Sequence, residues 1–118
     1  MDQSLYTIQS SATAIEAAEK IQRNHLRAVI VMAGEKAVGV CSQGDIMRLL
    51  LRGGSVHTVI EKIIQHPFLF LREKNWEEAY ALIVKHGITL IPVLDQEFHL
   101  IDVITLAMVL ERMQIKTA

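Results

Sequence analysis

The residues best able to do chemistry stand together at Ser42-x-x-Asp45, a hydroxyl and a carboxylate three positions apart with Gly44 between them. A carboxylate has two acceptor oxygens and can take two ligand hydroxyls in bidentate fashion. A serine at a helix N-cap can offer its hydroxyl to an anion, and the exposed backbone N–H groups of the first turn favour negative charge. Gly44 leaves room for close approach. The same residues also read as a plain helix start, because Ser at the N-cap and an acid in the first turn stabilise a helix with no ligand present. Spacing alone leaves both readings open.

The remaining candidates point away from metals and catalysis. His25, His57, His66, His86 and His99 show no i, i+4 pairing and stand near neither a cysteine nor clustered carboxylates, so no metal site is expected. Cys41, the single cysteine, ends an apolar run with no evident base beside it, which suits a small buried thiol and excludes a disulfide within the chain. The glycines form no phosphate-binding loop, and no nucleophile with a partner base stands out, so the chain is not expected to be an enzyme or to require a cofactor. Met47, Met108 and Met113 fall on helical stripes, where packing explains them.

Positioning Ser42 and Asp45 requires a strand before them and a helix after, and the chain builds that arrangement twice. Thr13-x-x-Glu16 reads as a capping box, followed by Ala14, Ala17, Ala18 and Ile21 at helical spacing, with a helix end near Asn24. Asn75-x-x-Glu78 with Trp76, Ala79, Tyr80 and Ile83 repeats the construction 62 positions later. RAVIVM (Arg27 to Met32), the turn AGEK and AVGVC (Ala37 to Cys41) read as a hairpin, matched by ITLIPVL (Ile88 to Leu94), a turn and HLIDVI (His99 to Ile104). Helices follow from Ser42 to about Arg52 and from Thr105 to about Gln114, now offset by 63, so the second hairpin carries one extra residue. Between the copies, Gly53-Gly54 precedes a stretch with the look of a short linker helix over about 55–64, then an extended segment through Phe68 to Leu71 that answers Leu5 to Ile8.

A half of about 55 residues is marginal as an independent core. The economical arrangement is one folded module of two halves, 1–54 and 55–118, packed sheet to sheet about a pseudo-twofold axis, with Leu5–Ile8 or Phe68–Leu71 crossing over to complete a sheet. At 118 residues, 51% hydrophobic and 21% charged, the chain is composed like one soluble domain and not like a disordered tail. Twelve Lys and Arg against 13 Asp and Glu supply none of the positive excess that nucleic-acid binding needs. The start, MDQSLYTIQS, has no export signal, and the apolar stretch from Val103 to Leu110 is far short of the roughly 20 residues that cross a bilayer, so no membrane partner and a cytoplasmic location are expected.

Three segments carry a resemblance to a tandem pair of CBS domains, a Bateman module, over Leu5 to about Met113. Gly39-Val40-Cys41-Ser42-Gln43-Gly44-Asp45-Ile46 resembles the family pattern of Gly, two apolar residues, Ser or Thr, two variable residues and Asp. HGITLIPVLD (His86 to Asp95) is similar to the family's helix-to-strand segment. SQGDIMRLLLRGGS (Ser42 to Ser55) resembles most closely the CBS pairs at the N-terminus of sugar-phosphate nucleotidylyltransferases.

The resemblance implies an α/β fold of two β-α-β-β-α units and a regulatory module that binds adenosine-containing ligands such as AMP, ADP, ATP or S-adenosylmethionine in clefts between its halves. On that basis Asp45 takes the ribose hydroxyls, Ser42 and Gly44 meet ribose or phosphate, and Leu26, Arg27 and Tyr6 complete the site. Arg27 reads equally well as an exposed arginine at a strand start, and Arg48 and Arg52 as solvated or at a subunit contact. The second cleft would carry Thr105, Thr89, Ile88 and Phe68, and is degenerate because Met108 stands where the first copy has Asp45 and Asp102 where it has Gly39. A homodimer through helix faces and a fused or associated catalytic domain are the further partners implied. The alternative is a module that keeps the fold, binds no ligand and serves dimerisation or interaction.

Overall fold

The first four N–H groups of a helix find no partner inside it, and the way this chain satisfies them builds each unit. The computed structural model describes residues 3–64 and 67–117, the side chains of 114–117 excepted. Helix α1 (Ala14–Asn24) starts at Thr13, whose hydroxyl accepts from the Glu16 N–H while the Glu16 carboxylate accepts from the Thr13 N–H at 3.1 Å. The N–H groups of Ala14 and Ile15 donate to the carbonyls of Thr58 and Val56 at 2.8 and 2.9 Å. The segment after the first repeat thereby caps the helix that opens it. Ile60 N–H donates back to Ala12 O at 2.8 Å, which closes the exchange.

Strand β1 (Thr7–Gln9) runs parallel to β2 (Ala28–Ala33), and α1 is the crossover that parallel strands require. Strand β3 (Lys36–Ser42) pairs antiparallel with β2, giving the order β1-β2-β3, and runs into α2 (Gln43–Leu51). The second copy repeats this: a parallel bridge from Leu71 to Val93, α3 (Trp76–His86), β4 (Leu90–Leu94) antiparallel to β5 (Leu100–Thr105), then α4 (Leu106–Thr117). The protein is thus a mixed α/β chain with two small sheets and four α-helices among the described residues. It divides into two compact units, Met1–Phe68 and Leu69–Ala118.

The cores show the repeat residue by residue. Ala17, Ile21, Val29, Val31, Cys41 and Ile46 are buried together in the first unit. Ala79, Ile83, Ile91, Val93, Ile104 and Val109 take their places in the second. The offset changes from 62 to 63 across the hairpin turn, where Met32 pairs with Ala37 but Leu94 with Leu100. Both hairpins break register at the same point, between Val31 and Met32 and between Val93 and Leu94.

Two expectations are corrected. Neither Leu5–Ile8 nor Phe68–Leu71 crosses over: β1 pairs with β2, and Leu71 with Val93, each inside its own unit. The linker is not a helix over 55–64 but a set of turns ending in a 3-10 helix, Ile60–Lys62. Its β-branched Val56, Thr58 and Val59 resist helical χ1 packing, and their stretch gives its carbonyls to α1 instead.

The α1–β2 connection holds a backbone feature with a direct test. His25 terminates α1 at φ 59°, a left-handed conformation, whereas the matching residue after α3 is Gly87 at φ 64°. Left-handed geometry costs a side-chain-bearing residue about 1–2 kcal/mol, partly offset by the extra unfolded-state freedom of glycine, about 0.5–1 kcal/mol. Thermal unfolding of His25→Gly is therefore expected to give a Tm a few degrees above wild type, and Gly87→Ala a Tm below it. A His25→Gly protein less stable than wild type would show that the imidazole holds the connection in place.

Candidate functional site

The start of α2 is the point where the candidate residues meet. Ser42 Oγ accepts from the Asp45 N–H at 3.1 Å, and Asp45 Oδ2 accepts from the Ser42 N–H and hydroxyl at 2.8 and 3.0 Å. This is a full capping box, so the helix-cap reading of Ser42-x-x-Asp45 is realised in the fold. The other oxygen, Oδ1, accepts from Arg48 Nη2 at 2.6 Å. The guanidinium also lies across Gly44, where an added Cβ would stand 3.3 Å from Arg48 Nη1. Arg48 is thus a partner of the site and not simply a solvated side chain. Its i, i+3 spacing from Asp45 was the signal that could have revealed it.

Arg27 joins the same site through its backbone. Its carbonyl accepts the first N–H of α2, from Gln43, at 2.8 Å, and its φ of 64° turns the chain to make that bond. With the Gln43 and Asp45 N–H groups engaged, the Gly44 N–H is the one in the first turn without a partner among the described residues. The exposed-amide reading of the helix start narrows to that group. Arg27 and His25 also line a groove of about 510 Å³ between α1 and α2, floored by Ala18, Ile21, Ile46 and Met47. Asn24, missed in the sequence, organises this connection: its Nδ2 donates to the carbonyls of Leu5 and Ala28, and its Oδ1 accepts from the Leu26 N–H. Leu26 lies on this connection, and Tyr6 just before β1 gives its carbonyl to the Ile30 N–H.

The second copy keeps the backbone plan and changes the chemistry. The Thr89 carbonyl accepts the Leu106 N–H at 2.9 Å, as Arg27 does for Gln43. Thr105 Oγ1 accepts from the Met108 N–H at 3.3 Å, but Met108 returns no carboxylate. Asp102, the counterpart of Gly39 by strand register, pairs with Lys74 Nζ at 2.7 Å. Burial pushes its pKa up, but the bonds from Lys74 and the Val103 N–H, with the Lys74 charge, pull it below the usual carboxylate value. Ile88 packs against the second core, whereas Phe68 falls at the end of the first unit.

Among the described residues no group of three or more His, Cys, Asp and Glu could hold a metal, and His66 lies outside them. No described helix is long and apolar enough to cross a membrane.

Comparison with known proteins places the chain. The CBS domain model matches it twice, at residues 1–52 and 56–115. The CBS domain pair/ACT domain protein of Thermotoga maritima is 22% identical, with a TM-score of 0.80 over 99% of this chain and 94% of its own. CBSX2 in complex with AMP is 24% identical, at a TM-score of 0.79 over 97% of this chain and 91% of that one. A CBS domain protein of Pyrobaculum aerophilum, complexed with AMP, is 21% identical at a TM-score of 0.71, covering 98% of both chains. No curated protein matches the sequence.

Cys41, four residues before Asp45, supplies a test of the site's interior. Burial, aided by the Asp45 charge, pushes its thiol from 9.0 up to about 12. The folded state holds the proton that the unfolded chain releases between those values, so stability is expected to fall as pH rises above about 9. At pH 8 the native protein should resist alkylation by iodoacetamide and react on unfolding in urea. Rapid native labelling, followed by mass spectrometry, would mean that β3 opens at Cys41.

Proposed function

Because the chain belongs to the CBS domain family, as a tandem pair of its domains, we propose that it is a regulatory module sensing an adenosine-containing nucleotide, AMP, ADP, ATP or S-adenosylmethionine, at the start of α2. The observation that carries this reading is the state of Asp45: Oδ2 is committed to the helix cap, while Oδ1 has one partner among the described residues, the half-exposed Arg48. Displacing Arg48 opens two lone pairs on a carboxylate held rigidly by the backbone, which suits two ribose hydroxyls. Ser42, Gly44 and the Arg27 connection surround it. The AMP complexes of two proteins of the same fold support the ligand class.

Ligand binding would act by favouring one arrangement of the module, and only by its difference in affinity between arrangements. The readout would be a fused or associated catalytic domain, and the likeness of Ser42–Ser55 to nucleotidylyltransferase-linked pairs makes a sugar-phosphate nucleotidylyltransferase the first partner to examine. The chain itself is read as non-catalytic and cytoplasmic. A homodimer is part of the proposal, supported by exposed Met47, Leu50 and Leu51 on α2 and Leu110 on α4.

A second reading has its own observation. Ser42-x-x-Asp45 already serves α2 as a full capping box, and the apolar α2 surface would serve a ligand-free dimerisation module equally well.

A thermal-shift panel of adenosine, cytidine and guanosine nucleotides separates the two. At 100 times its dissociation constant a ligand stabilises by about 2.7 kcal/mol, a Tm rise on the order of ten degrees. Calorimetry of the best ligand is expected to show one strong site, weakened about 10- to 150-fold in Asp45→Ala, because a charge-assisted hydrogen bond is worth roughly 1.5–3 kcal/mol. Met108→Asp is expected to add a second, weak site. A flat panel favours the interaction module, and unchanged affinity in Asp45→Ala returns Ser42-x-x-Asp45 to a cap alone.

A further inference from the structure

Residues 45, 48, 49 and 52 share one face of α2, and that face turns toward the 3-10 helix of the linker. The two enclose a cleft of about 250 Å³ lined by Asp45, Arg48, Leu49, Arg52, Lys62 and Ile63. It brings three cations to one carboxylate in a chain whose formal net charge is −1. Arg48 is engaged by Asp45, but Arg52 and Lys62 have no ion pair or side-chain hydrogen bond among the described residues. A cation at the last turn of a helix is favoured by the helix dipole, which accounts for Arg52. It does not account for Lys62, which approaches from a different element across the cleft. Glu61, its neighbour, does not line the cleft.

Two like charges facing one small space repel unless an anion or solvent separates them. The seven steps from Asp45 to Arg52 span about 10 Å along the helix axis, so the cations are strung along a line and not gathered at a point. A single phosphate would meet one end of that line. A chain of phosphates would follow it, meeting Arg48 beside Gly44 and then Arg52 and Lys62.

We propose that this cleft binds a chain of two or more phosphates, with Arg52 and Lys62 as its standing cations and Arg48 as a third that the anion draws away from Asp45. The phosphates would be either the tail of a nucleotide or a free inorganic polyphosphate. In the first case the inference rests on the nucleotide reading of Asp45 and extends it to a preference for ADP and ATP over AMP. The cleft then couples to the capping carboxylate, since releasing Arg48 from Oδ1 frees the acceptor a ribose would use.

The test titrates the full chain with tripolyphosphate, ATP, AMP and adenosine, in wild type, Arg52→Gln, Lys62→Gln and the double variant. Arg23→Gln on the exposed face of α1 serves as a charge control, and unliganded Tm values check that each variant folds. Tripolyphosphate is expected to bind wild type and the Arg23→Gln control alike, to weaken tenfold or more in each single variant and further in the double variant, and to weaken with added salt. Tighter binding of ATP than of tripolyphosphate assigns the phosphates to a nucleotide, and equal binding assigns them to free polyphosphate. Failure of tripolyphosphate and ATP to bind, or undiminished binding in the double variant, overturns the proposal. ATP binding that depends on Asp45 but is unchanged in Arg52→Gln, Lys62→Gln and the double variant would uphold the nucleotide site while this cleft failed.

Discussion

Asp45 has two carboxylate oxygens, and one of them is needed to start α2. Oδ2 takes both donors of Ser42, and the Ser42 hydroxyl in turn takes the Asp45 N–H. With the Gln43 N–H on the Arg27 carbonyl, these bonds fix where the helix leaves β3 and how it is rotated. Rotation decides the rest: Ile46 enters the core, Met47 lies along the α1–α2 groove, and Arg48 and Arg52 face the linker. A ligand function at this site must be built around a carboxylate that already has a structural task.

The two repeats show which parts of that plan belong to the backbone. Both hairpins carry a register break at the same place, and both second helices donate their first N–H to the carbonyl of the residue just before β2 or β4. Side chains are where the copies part. Asp102 in place of Gly39 brings a charge that Lys74 must neutralise, and Met108 in place of Asp45 leaves Thr105 to cap its helix alone. His25 in place of Gly87 keeps a left-handed turn with a residue that does not favour it. A single folding plan thus carries one polar helix start and one that is largely apolar.

Much of this was legible in the sequence because it rests on local, periodic signals. The capping box at Thr13, the helix start at Ser42, the stripes through Ala17 and Ile21, and the shift of offset from 62 to 63 each follow from one short stretch of chain. What escaped was set at a distance or by backbone geometry with no compositional mark. Val56 and Thr58 do not announce that their carbonyls will cap a helix some 40 positions earlier. His25 and Arg27 are not glycines, so nothing marked their positive φ. Lys74 meets Asp102 only once the second sheet has formed. Arg48 was different: its spacing from Asp45 was visible, but an i, i+3 pair on a helix is commonly of small consequence, and only the geometry shows it closing over Gly44.

The strength of that closure bears on how the site could work. Arg48 is 54% exposed and Asp45 only 10%. An ion pair with one partner so open to solvent is worth little, typically below about 1 kcal/mol, because water competes for the guanidinium and salt screens it. The Ser42 bonds belong to the backbone cap, and breaking them would unravel the first turn of α2. An incoming ligand therefore meets a carboxylate with one exchangeable partner and one fixed set, and its binding need not melt the helix. The displaced guanidinium remains tethered one turn away, next to Arg52 and Lys62. In the proposed reading, opening Oδ1 and concentrating positive charge in the neighbouring cleft would be a single movement of one side chain, so that hydroxyl recognition and anion recognition would favour each other.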